Sequence, residues 1–218
     1  MTIQMTTKMT ATPTPGRRVM IAVTGASGSI YAERLIQQCL ARFPRVYIVA
    51  TDPARQVADH ELPENSSNGG VSLRKILAGD IPEAHREVIR LLKNDDLFAP
   101  VASGSSAPTD MIVVPCSMGS LARIAQGLST NLLERAADVV LKQRRRLIMV
   151  PRETPLNAIH LRNMLTLSEM GVDIVPAMPA FYQHPKTIDD MVDFVVGRIL
   201  ELLDVEHGLY RPWNSRMR

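Results

Sequence analysis

The sequence predicts one doubly wound α/β domain, a mostly parallel sheet with helices on both faces. Three observations carry that reading. Short aliphatic runs alternate with stretches of helical periodicity along nearly the whole chain. The run VYIVA (46–50) is apolar on both faces, as a central strand of a parallel sheet is. Two such runs end in Gly- and Ser-rich turns that lead straight into helical patterns, TGASGS (24–29) and PCSMGS (115–120).

The elements follow in order. VMIAV (19–23) is the first strand, and Tyr31, Leu35, Ile36 and Leu40 mark the apolar face of the helix after it. Glu33, Arg34, Gln37 and Gln38 are expected on its other faces. After the second strand the polar stretch 61–70 reads as a loop. SLRKIL and EAHREVIRLL are expected as short helices or a hairpin region, and 95–108 as a long loop. MIVVP (111–115) is a strong strand, followed by helices through MGSLARIAQ and LLERAADVVLKQ. LIMVP (147–151) precedes a helix from about Asn157 to Met170 that stops at Gly171, and VDIVPA (172–177) is the last strand. Thr187 with Asp190 opens a final helix to about Val205, its buried face expected at Ile188, Met191, Val192, Val195, Ile199 and Leu202.

Residues 1–16, rich in Thr, Met and Pro, are expected to form a disordered leader, 17–206 a single domain and 207–218 a C-terminal tail. A chain of 218 residues can bury a sizeable core, here built from aliphatic side chains and methionine because aromatics make up only 4%. The formal charge of +3 is too mild for a nucleic-acid binder. In the cluster of Lys142, Arg144, Arg145 and Arg146, the arginines read as a solvated helix end, where cations complement the helix dipole, and Lys142 stands apart from that reading. Cys39 and Cys116 lack ligand spacing, so neither a zinc site nor a disulfide framework is indicated, and a reducing cytoplasm is the simplest compartment. Arg17-Arg18 precedes only five apolar residues, too few for an export signal, and no run approaches the ~18 needed to span a membrane.

Ligands of such sheets bind at the carboxyl ends of the strands, and the unusual residues sit there. Gly25 and Gly28 permit a tight turn and close backbone approach, with N–H groups and Ser hydroxyls placed for an anion. The spacing is not GxGxxG, so a mononucleotide such as FMN fits better than NAD. Cys116 has no His placed to activate it and reads as a buried packing residue. Arg135 and Lys142, seven residues apart, share one helix face, a pattern that is most often plain surface. Arg152 and Glu153 pair a cation with a carboxylate at a strand end, suited to anchoring a phosphate and moving a proton. Tyr182 and Arg198 complete the candidates, although Arg198 among apolar neighbours also fits a helix residue reaching for solvent.

Together GASGS (25–29), ASGSSAP (102–108), PCSMGSLARIAQG (115–127), NLLERAADVVLKQRR (131–145), VPRETPL (150–156), HLRNM (160–164) and PAFYQHP (179–185) resemble the UbiX-type flavin prenyltransferases. The resemblance runs from about Val19 to Val205. It implies a Rossmann-like, flavodoxin-like fold, a dodecamer with active sites between subunits, and a metal-free transfer of a dimethylallyl group to reduced FMN. The donor is dimethylallyl phosphate, sometimes the diphosphate, and the product serves UbiD-type decarboxylases. By position, Gly25, Ala26, Ser27 and Thr51 would hold FMN, Cys116, Ser117, Met118 and Gly119 would border the flavin, and Arg152 would contact it. Lys142, Tyr182, Arg198 and Arg135 would bind the prenyl phosphate, Glu153 would handle a proton, and Glu61 would match a second carboxylate from a neighbouring subunit.

The sequence departs from the family pattern at Asp52, where many members carry lysine, and at Leu97, where some place an aromatic. Two other readings stand beside this one. A phosphopantothenoylcysteine decarboxylase relative would need a His near the first turn, where Ser29-Ile30-Tyr31 offers none. A non-catalytic accessory subunit of a decarboxylase would have no use for Lys142, Glu153, Tyr182 and Arg198 together.

Overall fold

The computed structural model describes residues 16–63 and 71–211. The expected leader therefore lies almost wholly outside the described residues, as does 212–218 of the expected tail. The order is β1 (Arg18–Val23), α1 (Ser29–Leu40), β2 (Arg45–Ala50), α2 (Asp52–Glu61), α3 (Leu73–Leu77), β3 (Ile89–Leu92), β4 (Asp110–Cys116), α4 (Met118–Ala125), α5 (Leu132–Lys142), β5 (Arg146–Pro151), α6 (Ala158–Glu169), β6 (Asp173–Ile174) and α7 (Ile188–Leu202).

All strand pairs are parallel, in the order β3-β2-β1-β4-β5-β6. That is the doubly wound Rossmann order; without the edge strand β3 it reduces to the flavodoxin order. Alternate strand residues feed two cores. Val19, Ile21, Val23, Ile48 and Ile112 pack under α1, α2, α3 and α7. Met20, Ala22, Met111, Val113 and Met149 pack under α4, α5 and α6. β4, buried at every position, is the central strand and carries the most demanding apolar run.

Several local readings change. α2 was not anticipated: Thr51 caps it, its Oγ1 accepting from Ala54 N–H at 3.3 Å, with proline in the first turn. IRLL (89–92) is a parallel edge strand rather than part of a helix or hairpin, because its short apolar run satisfies either period and the exposed edge of β2 selects the strand. Glu33 is buried, not turned outwards, since its carboxylate accepts the Leu73 N–H at 2.8 Å and so ties α3 to α1. The capping box of Thr187 and Asp190 is present, but α7 buries Val192, Val195, Val196, Gly197, Ile199 and Leu200, and leaves Ile188 exposed. The arginines after Lys142 are not all free in solvent: Arg145 donates to the Pro108 carbonyl at 3.0 Å, and Arg146 pairs with Asp204 at 2.9 Å.

Candidate active site

The strand order reverses between the parallel neighbours β1 and β4, the place where a doubly wound sheet opens a crevice at its carboxyl edge. Thr24 stitches that edge together. Its buried hydroxyl donates to the Pro115 carbonyl at 2.7 Å and accepts the Ser117 N–H at 2.8 Å. Sequence reasoning assigned Thr24 no role; its place between strand and glycine turn was the available signal.

The turn Gly25–Ser27 lies against the start of α2. A Cβ on Gly25 would come within 2.5 Å of the Pro53 Cβ, so only glycine fits. Gly28 adopts φ +113° and caps α1 from a conformation that side chains resist. The first amides of α1 are already engaged. Glu61, at the end of α2, accepts the Gly28 N–H at 2.9 Å and the Ser29 N–H at 2.8 Å. Burial pushes the Glu61 carboxyl up, but hydrogen bonds from Ser27, Gly28 and Ser29 outweigh it and hold the group below the usual carboxylate range. Glu61 thus ties the end of α2 to the first turn of its own chain.

At the end of β4, Ser117 caps α4, its Oγ accepting from Ser120 N–H at 3.3 Å. Met118 and Cys116 are buried, and Gly119 is exposed beside them. Burial pushes the Cys116 thiol up to about 12, which fits the packing reading and removes it as a nucleophile at neutral pH. Cys39, fully buried, is pushed up to about 12 in the same way. Neither thiol should react with iodoacetamide at pH 7.5 in the folded protein. Both should react once it is unfolded, and rapid native labelling of either would contradict their burial.

Arg152 closes the group. Its backbone N–H donates to the Cys116 carbonyl at 3.2 Å and its Nε to the Ser27 carbonyl at 3.1 Å. Three strand ends therefore converge, bringing Gly25, Ala26, Ser27, Cys116, Ser117, Met118, Gly119 and Arg152 to one edge. Thr51 stands beside them, its N–H bonded to the Val23 carbonyl at 3.0 Å and its hydroxyl engaged as the α2 cap. Asp52, exposed, opens that helix.

Arg152 and Glu153 also line a cavity of about 240 Å³ between the ends of β5 and β6, walled by Leu156, Met164, Pro176 and Met178. Glu153 is exposed, with its carboxylate accepting the Thr154 N–H at 3.0 Å. An apolar wall with one cation and one carboxylate can shelter a small apolar group while a proton moves at its rim.

The expected phosphate ligands divide into two sets. Tyr182 lies in the turn before α7 and meets Phe194 edge-on, ring centroids 5.8 Å apart. Arg198 projects from α7 and pairs with Glu201. Arg135 pairs with Asp138 at 2.8 Å and donates to the Ala102 carbonyl at 3.2 Å. Lys142 ends α5, exposed, next to the amino end of β5. α5 packs on one face of the sheet and α7 on the other. One copy of the chain cannot bring Lys142 and Arg198 to the same phosphate.

Among the described residues no cluster of three or more His, Cys, Asp and Glu could hold a metal ion. No helix there is long and apolar enough to cross a membrane.

A parallel sheet whose switch point gathers a glycine turn, a capped helix start and an arginine defines a mononucleotide-binding α/β protein. In agreement, the family profile described as Flavoprotein matches residues 7–200. A flavin prenyltransferase UbiX from Halalkalibacterium halodurans is 50% identical over 195 residues, covering 89% of this chain and 92% of that protein. The chain belongs to the UbiX flavin prenyltransferase family. Two solved structures share the fold closely. A dodecameric FMN-dependent UbiX-like decarboxylase from Escherichia coli O157:H7 superposes with TM-score 0.80 at 40% identity, covering 91% of this chain and all (100%) of that one. AnUbiX in complex with FMN and dimethylallyl pyrophosphate gives TM-score 0.78 at 38% identity, with 91% and 98% covered.

Proposed function

We propose that this protein joins the dimethylallyl group of dimethylallyl phosphate to N5 and C6 of reduced FMN, without a metal, and supplies prenylated FMN to a UbiD-type decarboxylase in the cytoplasm. One observation carries the reading: the first turn, the start of α4 and Arg152 converge at the switch point, next to the apolar cavity edged by Glu153. Bound reduced FMN supplies the nucleophilic ring positions for the transfer.

The chain's own residues do the rest. Gly25 lets the first turn pack directly on α2, which sets the backbone of Gly25–Ser27 at the carboxyl edge where the ligand binds. The leading N–H groups of a helix lack acceptors within it, so those of Met118 and Gly119 can serve ligand oxygens. Arg152 contacts the flavin and holds the edge of the cavity, whose apolar wall keeps water from the reacting allyl group. Glu153 takes or returns a proton at its carboxylate as the new ring closes. Lys142, Arg135, Tyr182 and Arg198 meet the phosphate, whose charge grows as its C–O bond breaks.

Because the sheet separates those four, the site is completed by a second copy. Exposed apolar residues support assembly: Ile159, Leu161 and Leu165 on α6, and Met178 and Phe181 beyond β6, are large apolar side chains that a monomer has no reason to leave in solvent. The dodecamer of the Escherichia coli relative is the expected form.

The test is anaerobic incubation of the purified protein with reduced FMN and dimethylallyl phosphate or diphosphate, then mass spectrometry of the extracted flavin. A gain of one C5 unit, with no added metal or partner protein, is expected. FMN recovered unmodified with both donors would overturn the reading.

A further inference from the structure

We propose that Glu201 and Tyr210 are positioning residues that hold the Arg198 guanidinium ready for the phosphate of the prenyl donor. This rests on the reading of Arg198 as a phosphate ligand, and extends it to a segment that the sequence marked only as a tail.

Phe194, Arg198 and Glu201 lie on one face of α7, spaced by four and three residues. The chain beyond the helix turns back along that face. It can do so because position 197 is glycine: a Cβ there would lie 2.4 Å from Tyr210 Cε1 and 2.8 Å from His207 Cε1. The Tyr210 ring packs on Phe194, with centroids 5.1 Å apart, and its hydroxyl donates to Glu201 Oε1 at 2.5 Å. The other oxygen of Glu201 accepts from Arg198 Nη1. The His207 side chain is only 6% exposed and brings Nε2 within 3.6 Å of Glu201 Oε1. Its Nδ1 accepts the Leu209 N–H at 3.3 Å.

Glu201 is thus gripped on three sides, and it grips Arg198 in turn. Burial, then the bond to Glu201, push the Tyr210 hydroxyl up to about 12, so it remains a donor throughout the neutral range. A guanidinium has five N–H donors in a rigid fork, and these contacts leave donors for an anion. A long side chain already tied in place loses less freedom when the phosphate arrives. Tyr182 packs against the same Phe194, so contiguous aromatic contacts link the two phosphate ligands expected on this face of the sheet.

Steady-state kinetics of the full-length oligomer, with dimethylallyl phosphate varied at saturating reduced FMN, test the assignment. Tyr210→Phe keeps the ring in the glycine notch and removes only the hydroxyl; Glu201→Gln keeps the shape and removes the charge. Each is expected to raise KM for the donor about tenfold, with kcat within about twofold and FMN affinity unchanged. Arg198→Ala should raise KM further, and adding Tyr210→Phe to it should change nothing more. If Arg198→Ala raises KM while both other variants match wild type, the positioning role is wrong and the reading of Arg198 stands. If Glu201→Gln lowers KM, its carboxylate competes with the phosphate, and the proposal falls. If Arg198→Ala itself leaves KM unchanged, the reading of Arg198 fails and the positioning role with it.

Discussion

Lys142→Ala is expected to lower kcat by about 10²-fold while FMN affinity stays within about twofold of wild type. The lysine lies just before the amino end of β5, whereas Arg152 follows its carboxyl end, so loss of the lysine leaves the convergent strand ends intact. Its charge matters when the departing phosphate gains charge, which places the effect in turnover rather than flavin binding. Co-expression sharpens the test. At donor concentrations well below the raised KM, Lys142→Ala and Arg198→Ala chains are each expected to turn over slowly alone. Because α5 and α7 flank opposite faces of the sheet, the proposed phosphate contacts of these two residues require different copies. In randomly mixed oligomers about one site in four then combines an intact Lys142 with an intact Arg198, and activity should recover to about a quarter of wild type. Turnover measured on the purified mixture checks this. No recovery would mean that the two residues do not act across a subunit boundary.

Gly25→Ala is expected to abolish flavin binding at micromolar FMN and to destabilise the fold by about 1–3 kcal/mol, the usual cost of forcing an extra carbon into a packed contact. The added Cβ would meet the Pro53 Cβ at 2.5 Å. Neither neighbour yields easily: Pro53 is held in the first turn of α2, and the turn before Gly28 is tied through Ser27 to Arg152. Relief requires the first turn to move away from α2, which displaces the Ser27 carbonyl and the Gly28 amide together. Thermal unfolding and flavin fluorescence titration read the two effects separately, at about 2–4 °C of Tm per kcal/mol for a chain of this size. Wild-type affinity in this variant would show that the first turn does not approach the ligand.

Much of the fold was legible because its signals are local. The runs that became β1, β2, β4 and β5 are aliphatic on both faces, and Thr187 with Asp190, or Asn157 before α6, mark helix starts within four residues. β3 and α2 were not read, for different reasons. IRLL is too short for its period to decide between helix and strand. α2 buries only Ala54 and Ala58, so its apolar stripe is too narrow to register even though Thr51 and Pro53 mark its start. Glu33 was misplaced because it finds its partner forty residues away in sequence, the Leu73 N–H at the start of α3.

The same division holds for the site. By itself the sequence determined the doubly wound α/β class, the two glycine- and serine-rich turns at strand ends, and the family, since those follow from residue order and from motifs read in place. Only the tertiary structure decided that Arg152 reaches across to Ser27, that Glu61 takes the amides at the start of α1 within its own chain, and that the sheet stands between Lys142 and Arg198. The physical reason is that strand order and helix side are set by how two apolar faces of one sheet are covered at once. That is a property of the whole packed chain, and no window of sequence carries it.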